Sequence, residues 1–316
     1  MTTSPVMPPP PLHTRGATPG EPITKGSQGK TVRSNPLSRK GRYAIGNALV
    51  TALLSIGAVA MIAPLLWTFS TSLKTRDGVF ALPPQWFPDP IVWENYVRVW
   101  TAGPLLSGIQ NSLIVACSVT IVGSLASALA AFAFAKMRMP FKNVLFLSLL
   151  AGLMIPFPTL MIPQFMFFAS IGWIDTLLPL IIPGIFGNII MIFFLRQYLA
   201  TVPDSIVEAA KIDGASYLQI FFRLILPVIK PALAAQFILW FMAVWNDYLA
   251  PIIYLNSPDR QTLQLVIANF NAQYAIQTDY PLIMAASFIA LLPVLIVFIV
   301  FQRQIIESVA LTGAKG

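Results

Sequence analysis

Charged residues are scarce in this chain of 316 residues, and cysteine and histidine occur once each. Only 10% of the residues are charged and 56% are hydrophobic, whereas soluble domains have about 25% charged and about 45–50% apolar residues. This composition excludes a soluble enzyme and a disordered chain. Because Cys117 is alone, no internal disulfide can form, and because the single histidine is His13, a histidine-based metal or proton site inside the apolar stretches is excluded. The sequence therefore indicates a polytopic membrane protein.

The first 45 residues differ in composition from the rest. They contain a run of four prolines at 8–11 and are otherwise rich in Gly, Ser, Thr and basic residues, which predicts a disordered, basic, proline-rich tail. The first apolar stretch begins too late and is too long for a secretory signal. Gly29-Lys30-Thr31 resembles the end of a phosphate-binding loop, but Thr24 stands where the first glycine of that motif belongs. Nucleotide binding is therefore not expected here.

Long stretches without charge follow, and their length fits transmembrane helices. About 20 apolar residues span the hydrocarbon core as a helix. A β-barrel would need alternating apolar and polar residues, which these stretches lack. The sequence therefore predicts an all-α protein with six transmembrane helices, near residues 46–71, 108–134, 144–168, 177–198, 228–250 and 281–302.

The distribution of basic residues predicts the orientation. Six spans place both termini on one side, and sixteen of the 20 Lys and Arg residues fall on that side. The positive-inside rule then places both termini in the cytoplasm. Topology alone accounts for the net charge of +8, so no nucleic-acid partner is expected. Two sizeable loops, near 72–107 and 251–280, lie on the outer side.

The first outer loop is rich in aromatic residues, among them Trp86, Trp93, Tyr96 and Trp100. Aromatic side chains at this level commonly anchor a protein at the lipid interface. They could also form a docking surface for an external protein, although the lipid anchor is the favoured interpretation. The sequence leaves both interpretations open.

The longest cytoplasmic connection, residues 199–227, has a legible local pattern. Ser205 followed by Glu208 forms a capping-box sequence that predicts the start of a short helix. Gly214 can adopt the left-handed conformation that ends such a helix. The pattern predicts a short helix and a glycine turn at the inner membrane surface.

A second short helix is predicted after this turn. Ser216 followed by Gln219 is another capping-box sequence, and Pro227 predicts a break. A DNA-binding helix-turn-helix would be an alternative interpretation. Residues 204–222 carry three acidic residues and one lysine, however, and this net negative charge opposes binding to a phosphate backbone.

At these residues the sequence resembles a known family, the permeases of ABC importers. The segment Glu208-Ala209-Ala210, Asp213-Gly214-Ala215 and Leu226-Pro227 resembles their EAA loop. Motifs elsewhere are similar to the carbohydrate-importing branch, in particular to the second permease of maltose-type transporters: Ile155-Pro156-Phe157-Pro158, Ile162-Pro163, Gly172-Trp173-Ile174-Asp175-Thr176 and Trp245-Asn246-Asp247-Tyr248. The resemblance spans about residues 43–316.

The resemblance implies the fold and the function. It implies a type I ABC importer permease (MetI-like) fold in the bacterial cytoplasmic membrane, forming half of the pore of a binding-protein-dependent sugar importer. The implied partners are a second permease subunit, two ATPase subunits, an extracytoplasmic solute-binding protein and membrane lipid. ATP and Mg would be bound by the ATPase, so that this chain would have no catalytic residues, cofactor or metal and would not be an enzyme.

The resemblance also assigns the loop a role in coupling. The EAA loop would be a helix seated in a cleft of the ATPase. Glu208 would contact the ATPase, Ala209 and Ala210 would permit close approach, Asp213 would help to fix the register, and Gly214 would set the turn.

Three polar residues are candidates for the substrate pathway. Asp247 lies near the outer end of the fifth predicted helix, about 24 Å along it from Pro231. Acidic residues within membranes are functional candidates by default, although helix capping explains many of them near an interface. Asn246 beside it and Asn188 in the fourth helix could hydrogen-bond sugar hydroxyls or tie helices together.

The proline-rich third helix is expected to be kinked near the pore, because proline removes a backbone donor and disturbs the preceding turn. Two other function classes are weighed. An intramembrane enzyme would need a convergent set of catalytic groups, which the isolated acidic residues do not provide. An ion-coupled secondary transporter of a small polar solute is the alternative.

Overall fold

A computed structural model describes the backbone of residues 36–273 and 278–313. Over these residues the chain forms helices and no strand. The chain divides after Val59 into two units. The described part of the first unit is the beginning of helix α1 (Pro36–Ser72), which starts inside the segment predicted as a tail. The rest of that tail, residues 1–35, lies outside the described residues.

The second unit contains the end of α1 and all later helices. They are, in chain order, α2 (Asn95–Arg98), α3 (Leu105–Lys136), α4 (Lys142–Gly152), α5 (Phe157–Ser170), α6 (Leu178–Ile185), α7 (Ile189–Ala200), α8 (Asp204–Ile212), α9 (Tyr217–Ile220), α10 (Leu226–Trp245), α11 (Leu249–Tyr254), α12 (Leu263–Gln273) and α13 (Tyr280–Gly313). The segments 77–79 and 258–260 form single 3-10 turns.

Five apolar helical segments in the described part of the chain are long enough to cross a membrane. They are Asn47–Ser72, Leu105–Lys136, Leu178–Ala200, Tyr217–Trp245 and Tyr280–Arg303. The pair α4 and α5 would make a sixth, but the two helices are bent by 93° at the break between them. The prediction of six apolar helical segments is therefore confirmed if α4 and α5 are counted together as the third segment. That segment is broken into two helices and not merely kinked.

The break in the third segment follows from its prolines. Pro156 precedes α5 in an extended conformation, and Pro158 lies in the first turn of that helix. A helix cannot continue through such a pair, because the residue before a proline is driven out of the helical region. Pro163 lies inside α5 and is tolerated there.

The fifth segment differs from its predicted limits of 228–250 at both ends. It begins at Tyr217, and the break predicted at Pro227 is wrong. Residues 221–225 form a π-helical turn in which the N–H group of Leu226 bonds to the carbonyl of Phe221, five residues back. Pro227 has no backbone N–H group to donate. The wider turn lets the helix continue without that hydrogen bond. The segment ends earlier than predicted, at Trp245.

Helix α3 is the centre of the second unit. It packs against α6, α7, α10 and α12, and its buried residues include many that are small. At Gly123 an added Cβ would lie 2.4 Å from the ring of Trp240 and 2.5 Å from the carbonyl oxygen of Gly184. The glycine is required by this close approach, because small residues let helices pack with their backbones near each other.

Buried apolar side chains form two clusters along α3. One joins the second half of α3 to α7, α8, α9 and the start of α10. The other joins the first half of α3 to the end of α10, α12 and α13. The first cluster anchors the connection that the sequence predicts to be cytoplasmic, and the second supports the segments predicted to lie on the outer side.

Candidate functional site

Helix α8 carries the residues that were predicted to contact an ATPase. Its buried anchor is Val207, which is 4% exposed and packs in the cluster around α3 and α7. Glu208, Ala209 and Asp213 are exposed, whereas Ala210 is half-buried. Ile212 is 86% exposed, although it is a large apolar residue. One face of α8 thus holds the helix to the protein and the opposite face is open.

The predicted glycine turn after α8 is confirmed. Gly214 has a φ of +82°, and an added Cβ would meet no atom within 4 Å. The position therefore requires glycine for its backbone conformation and not for space. The N–H of Gly214 bonds to Lys211 O, and that of Ala215 bonds to Ala210 O, which closes the helix end.

The two predicted capping boxes have different outcomes. Ser216 caps α9, with Gln219 bonding back to it, so that this box is confirmed. The Ser205 box is wrong: the N-cap of α8 is Pro203, two residues before Ser205, the helix begins at Asp204, and no side chain caps it. The reason is the position of Asp204, whose carboxylate is drawn to a lysine of another helix.

That lysine is Lys136, the last residue of α3. Its ammonium group donates to the carbonyl of Val202 and to Oδ1 of Asp204, both at 2.5 Å, and its side chain is 3% exposed. The hydrogen bond and the charge of Lys136 lower the pKa of Asp204 below its usual value. The contact fixes the start of α8 to the end of α3.

A polar groove of about 600 Å³ lies beside this contact. Cations of the connection between α3 and α4 line one wall, including Arg138 and Lys142, and Glu208 lines the other. On the far side of the α8–α9 turn, the ammonium of Lys211 bonds to the hydroxyl of Tyr217 and lies 4.2 Å from the centre of its ring. Glu208, Lys211 and Ile212 of α8 all line this groove, so it borders the open face of that helix.

The three candidates for the substrate pathway are not brought together. Asn188 caps α7, since its Oδ1 accepts from the N–H of Met191 at 3.1 Å. Its own N–H donates to the hydroxyl of Ser127 at 2.8 Å. This arrangement joins the broken fourth segment to α3. Asn188 therefore has a local structural role at the break between α6 and α7.

Asn246 and Asp247 follow α10 and line different cavities. Asn246 donates to Met242 O at 2.9 Å and accepts from Gln264 at 3.2 Å, and it lines a cavity against α13. Asp247 lines a cavity beside α5 and α6, and its Oδ1 accepts from the N–H of Leu249 at 3.1 Å. Burial raises the pKa of Asp247 above its usual value, against the opposing effect of backbone hydrogen bonds.

Sequence reasoning missed a buried carboxylate near the end of α1 and the start of α13. Asp279 is 1% exposed, and its Oδ2 accepts hydrogen bonds from Nε of Arg76 at 2.9 Å and from Nη2 of Arg98 at 2.8 Å. Nη2 of Arg76 lies 2.7 Å from the same oxygen. It joins the chain after α1, the helix α2 and the start of α13. In the sequence Asp279 directly precedes the last apolar stretch, which marks it as a candidate. No neighbouring residue, however, indicates that Arg76 and Arg98 are its partners.

A second carboxylate was also missed as a link between connections. Asp175, in the segment between α5 and α6, has a φ of +61°. It accepts from the N–H groups of Asn256 at 2.9 Å and Ser257 at 2.8 Å. These bonds, led by those from Ser257, lower the pKa of Asp175. The contact joins this segment to the one between α11 and α12.

Over the described residues the chain is a helical membrane protein with an open helix, α8, between its fourth and fifth apolar segments. This arrangement is typical of one class of protein, the permease subunits of importers in which a separate subunit supplies the energy. Residues 120–310 match the family described as binding-protein-dependent transport system inner membrane component. The chain belongs to this family, and the resemblance predicted from its motifs is confirmed.

Characterised relatives agree with this assignment. The chain is 32% identical to the diacetylchitobiose uptake system permease protein NgcG of Streptomyces coelicolor, over 83% of this chain and 87% of the relative. It is 32% identical to the arabinooligosaccharides transport system permease protein AraQ of Halalkalibacterium halodurans, over 85% and 98%. It is 29% identical to the sn-glycerol-3-phosphate transport system permease protein UgpE of Yersinia enterocolitica, over 81% and 93%.

A solved structure supports the fold. A chain of a bacterial ABC transporter that imports the acidic polysaccharide alginate superposes with a TM-score of 0.70, covering 87% of this chain and 99% of that chain. Their sequences are 23% identical, so this likeness shows the fold alone.

The family assignment fixes the general function. The chain is a multi-pass permease subunit of an ATP-driven, binding-protein-dependent importer in the bacterial cytoplasmic membrane. It is not an enzyme, because ATP hydrolysis in these systems belongs to a separate ATPase. It works with a second permease, an ATPase and a solute-binding protein, and the alternative of an ion-coupled secondary transporter is not favoured.

Proposed function

We propose that this permease receives its drive through the open face of α8 and that the importer carries a carbohydrate. The single observation that carries the first part is the exposure of Ile212 beside Glu208 and Ala209. A single exposed isoleucine is ordinary on a protein surface; what favours a partner here is that Ile212 shares the open face of α8 with a small alanine and a carboxylate, in the segment that resembles the EAA loop. The alanine permits close approach, and the carboxylate supplies a charge for recognition.

In this proposal two ATPase subunits serve two permease subunits, and each permease forms half of the pore. ATP and Mg²⁺ are bound by the ATPases, and surrounding lipid contacts the apolar segments. Closure of the ATPases pushes on Glu208, Ala209, Ala210, Asp213 and the Gly214 turn. The push passes to the pore because Val207 is buried in the cluster around α3.

The contact between Lys136 and Asp204 provides a second connection for this movement. It fixes the first residue of α8 to the last residue of α3, and α3 packs against α6, α7, α10 and α12. A displacement of α8 therefore moves the central helix and not only a surface loop. In this way an event in the cytoplasm can change which side of the membrane the pore opens to.

The carbohydrate substrate is proposed from the relatives. The uptake systems of the two relatives at 32% identity are named for diacetylchitobiose and for arabinooligosaccharides. The third carries sn-glycerol 3-phosphate, a phosphorylated polyol. Hydroxyl-rich molecules are common to all three names, and a neutral sugar is the proposed substrate of this chain.

Of the three pathway candidates, we retain Asp247 as a residue that faces the substrate, because it lines a cavity with other polar groups. Asn188 and Asn246 stay predictions. Their side chains are engaged in local hydrogen bonds, so a sugar would have to displace those bonds.

Co-purification with the cognate ATPase tests the proposal. Glu208→Lys reverses a charge on the open face of α8, and Gly214→Pro removes the positive φ. We expect both variants to insert in the membrane and to lose the ATPase at least tenfold. Thr201→Lys is the matched control, since Thr201 is exposed on the same connection but outside α8. Full ATPase recovery with both α8 variants would reject the coupling surface.

A further inference from the structure

An apolar groove of about 330 Å³ runs along the last turns of α1, at the end predicted to be outer. One wall is the face of α1 that includes Ala63, Leu66 and Leu73, and the other is the segment 86–88. Among the described residues, no charged side chain lines this α1 groove. Ser70 is the one residue of its lining that carries a hydroxyl, and that group is used within the protein. The lining therefore suits an apolar occupant.

The second wall of the α1 groove is fastened to the helix. The hydroxyl of Ser70 donates to the carbonyl of Trp86 at 2.5 Å. The N–H group of Val92 donates to the carbonyl of Leu73 at 2.8 Å. The rings of Trp67 and Trp86 meet edge to face, with their centres 5.1 Å apart. The groove is consequently formed before anything binds in it, and an occupant need not order the loop.

The rings of this wall are left open at the level of the membrane. Trp86 is 66% exposed and Phe87 is 87% exposed. Because Trp86 is bonded to Ser70, it lies beside the last turn of the apolar segment Asn47–Ser72. Aromatic side chains at such a level lie at the boundary between lipid and water. Single exposed apolar residues are ordinary on a protein surface, but these line a groove together with the helix.

The length of the α1 groove matches one leaflet of a bilayer. Ala63 and Leu73 are ten residues apart, which is about 15 Å at the rise of a helix. The hydrocarbon core of a bilayer is about 30 Å thick, so one leaflet is about 15 Å. The groove lies at the end of the apolar segment. A chain that enters beside Leu73 and continues to Ala63 would therefore cross the depth of one leaflet.

The volume of the α1 groove restricts the occupant to a single chain. A helix about 10 Å across and about 15 Å long would occupy about 1,200 Å³, several times the volume of the groove. A helix of a partner subunit is therefore too wide to enter it. Pockets for small ligands begin at about 300 Å³, which is close to the space available. An extended hydrocarbon chain has the required shape, and the surrounding lipid supplies such chains in excess.

We propose that the α1 groove binds one acyl chain of a phospholipid, and that this chain joins the aromatic segment 86–88 to α1. Burial of an acyl chain in a protein brings no hydrophobic gain within a bilayer, because lipid tails are as apolar as the groove. The chain is retained because it contacts protein on two sides, and many weak dispersion contacts add together. Since no cation of the described structure lines the groove, binding depends on the chain and not on an anionic headgroup.

Photo-crosslinking in the complete transporter identifies the occupant. Benzoylphenylalanine replaces Phe87, which lines the groove, and the transporter with its partner permease and ATPase is reconstituted with phosphatidylethanolamine or with phosphatidylglycerol. It is then extracted in a mild detergent, freed of loose lipid by gel filtration, mixed with the solute-binding protein and irradiated. We expect mass spectrometry to find a phospholipid adduct, with yields for the two lipids within about twofold of each other.

A filled groove provides the second measurement. Ala63→Phe places a ring in the groove, whereas Ala58→Phe places the same ring at an exposed position of α1 that does not line it. We expect Ala63→Phe to lower the yield of the phospholipid adduct at least fivefold, because the ring takes the place of the chain. Ala58→Phe should leave the yield within about twofold of the unfilled groove. Gel filtration and ATPase recovery verify that both variants assemble.

The identity of the adduct decides between occupants. An adduct with the partner permease or with the solute-binding protein would assign the groove to a protein and overturn the proposal. An adduct with detergent alone, a strong preference for the anionic lipid, or an equal loss of yield in Ala63→Phe and Ala58→Phe would also overturn it. Neither measurement depends on α8, so the coupling proposal stands or fails separately.

Discussion

At the scale of single residues, the buried carboxylate of Asp279 is held by two arginines from other parts of the chain. Burial alone would raise the pKa of Asp279, but hydrogen bonds from Arg76 and Arg98 outweigh it, so that its pKa lies below the usual value. The carboxylate also accepts from the N–H group of Leu282 at 3.3 Å, at the start of α13. One side chain thus holds three segments of the chain together.

Replacement of this carboxylate by an amide should weaken the protein. Asp279→Asn removes the charge that both arginines share, and hydrogen bonds to charged groups contribute about 1.5–3 kcal/mol. Because the arginines are 44% and 47% exposed, solvent compensates part of the loss, and we expect a destabilisation of about 1–2 kcal/mol. Thermal unfolding of the detergent-solubilised protein measures it, with Asp77→Asn, an exposed carboxylate on the same segment, as the unaffected control.

The pH dependence of this effect has a definite sign. Since folding lowers the pKa of Asp279, the contribution is fully present above the unfolded pKa of about 3.9. It is lost as pH falls from there through the folded pKa. The gap in unfolding temperature between wild type and Asp279→Asn should therefore be constant near neutrality and shrink below about pH 4. A gap that widens in acid would contradict the assignment.

At the scale of helices, the attachment of α8 to α3 depends on Lys136. Its buried ammonium group bonds to a backbone carbonyl and a carboxylate at once, and Lys136→Met removes both bonds. We expect amide hydrogen exchange within Asp204–Ile212 to accelerate about tenfold, equivalent to about 1.4 kcal/mol in local opening. Exchange in α7 should remain unchanged.

Lys142→Met provides the comparison for this prediction. Lys142 lines the same groove but donates only to the carbonyl of Met137 in the described structure, at 3.3 Å. Lys142→Met should leave amide hydrogen exchange in α8 within about twofold of the wild-type rate. If both substitutions accelerated amide exchange equally, the positive charge of the groove as a whole, and not the contact of Lys136 with Asp204, would hold α8 in place.

The helices also show which signals in a sequence are decisive. The Ser216 box and the Gly214 turn were predictable, because each depends on residues within one turn of the chain. The start of α8 was not, because a lysine 68 residues away draws Asp204 to it. The continuation through Pro227 depends on a π-helical turn, a state that apolar periodicity does not predict.

At the scale of the whole molecule, the apolar stretches were predictable because lipid imposes a minimum length on every span. The residues proposed for coupling were predictable as one short segment, because they lie within a few turns of each other, although Ala210 is half-buried. The cavity lined by Asp247, Gln164 and Thr262 was not. Its walls come from separate stretches of the sequence, and no local pattern announces which of their polar residues will face each other.

The orientation with both termini in the cytoplasm remains a prediction, and labelling in intact cells tests it. In a Cys117→Ser background, Asp259→Cys lies on a predicted outer loop and Thr201→Cys on the cytoplasmic connection, and both positions are exposed. A membrane-impermeant maleimide should label Asp259→Cys in intact cells and Thr201→Cys only after permeabilisation. The reverse pattern would invert the topology.

The arrangement around Asp279 bears on how this face responds to ionic strength. Of the four basic residues predicted outside, Arg76 and Arg98 share one buried carboxylate, and the ammonium of Lys74 lies against the ring of Trp67. Dissolved ions screen exposed charges far more than buried ones. Because the carboxylate that they share is buried while Arg76 and Arg98 are only partly exposed, these ion pairs should weaken less as salt is added than a fully exposed pair would.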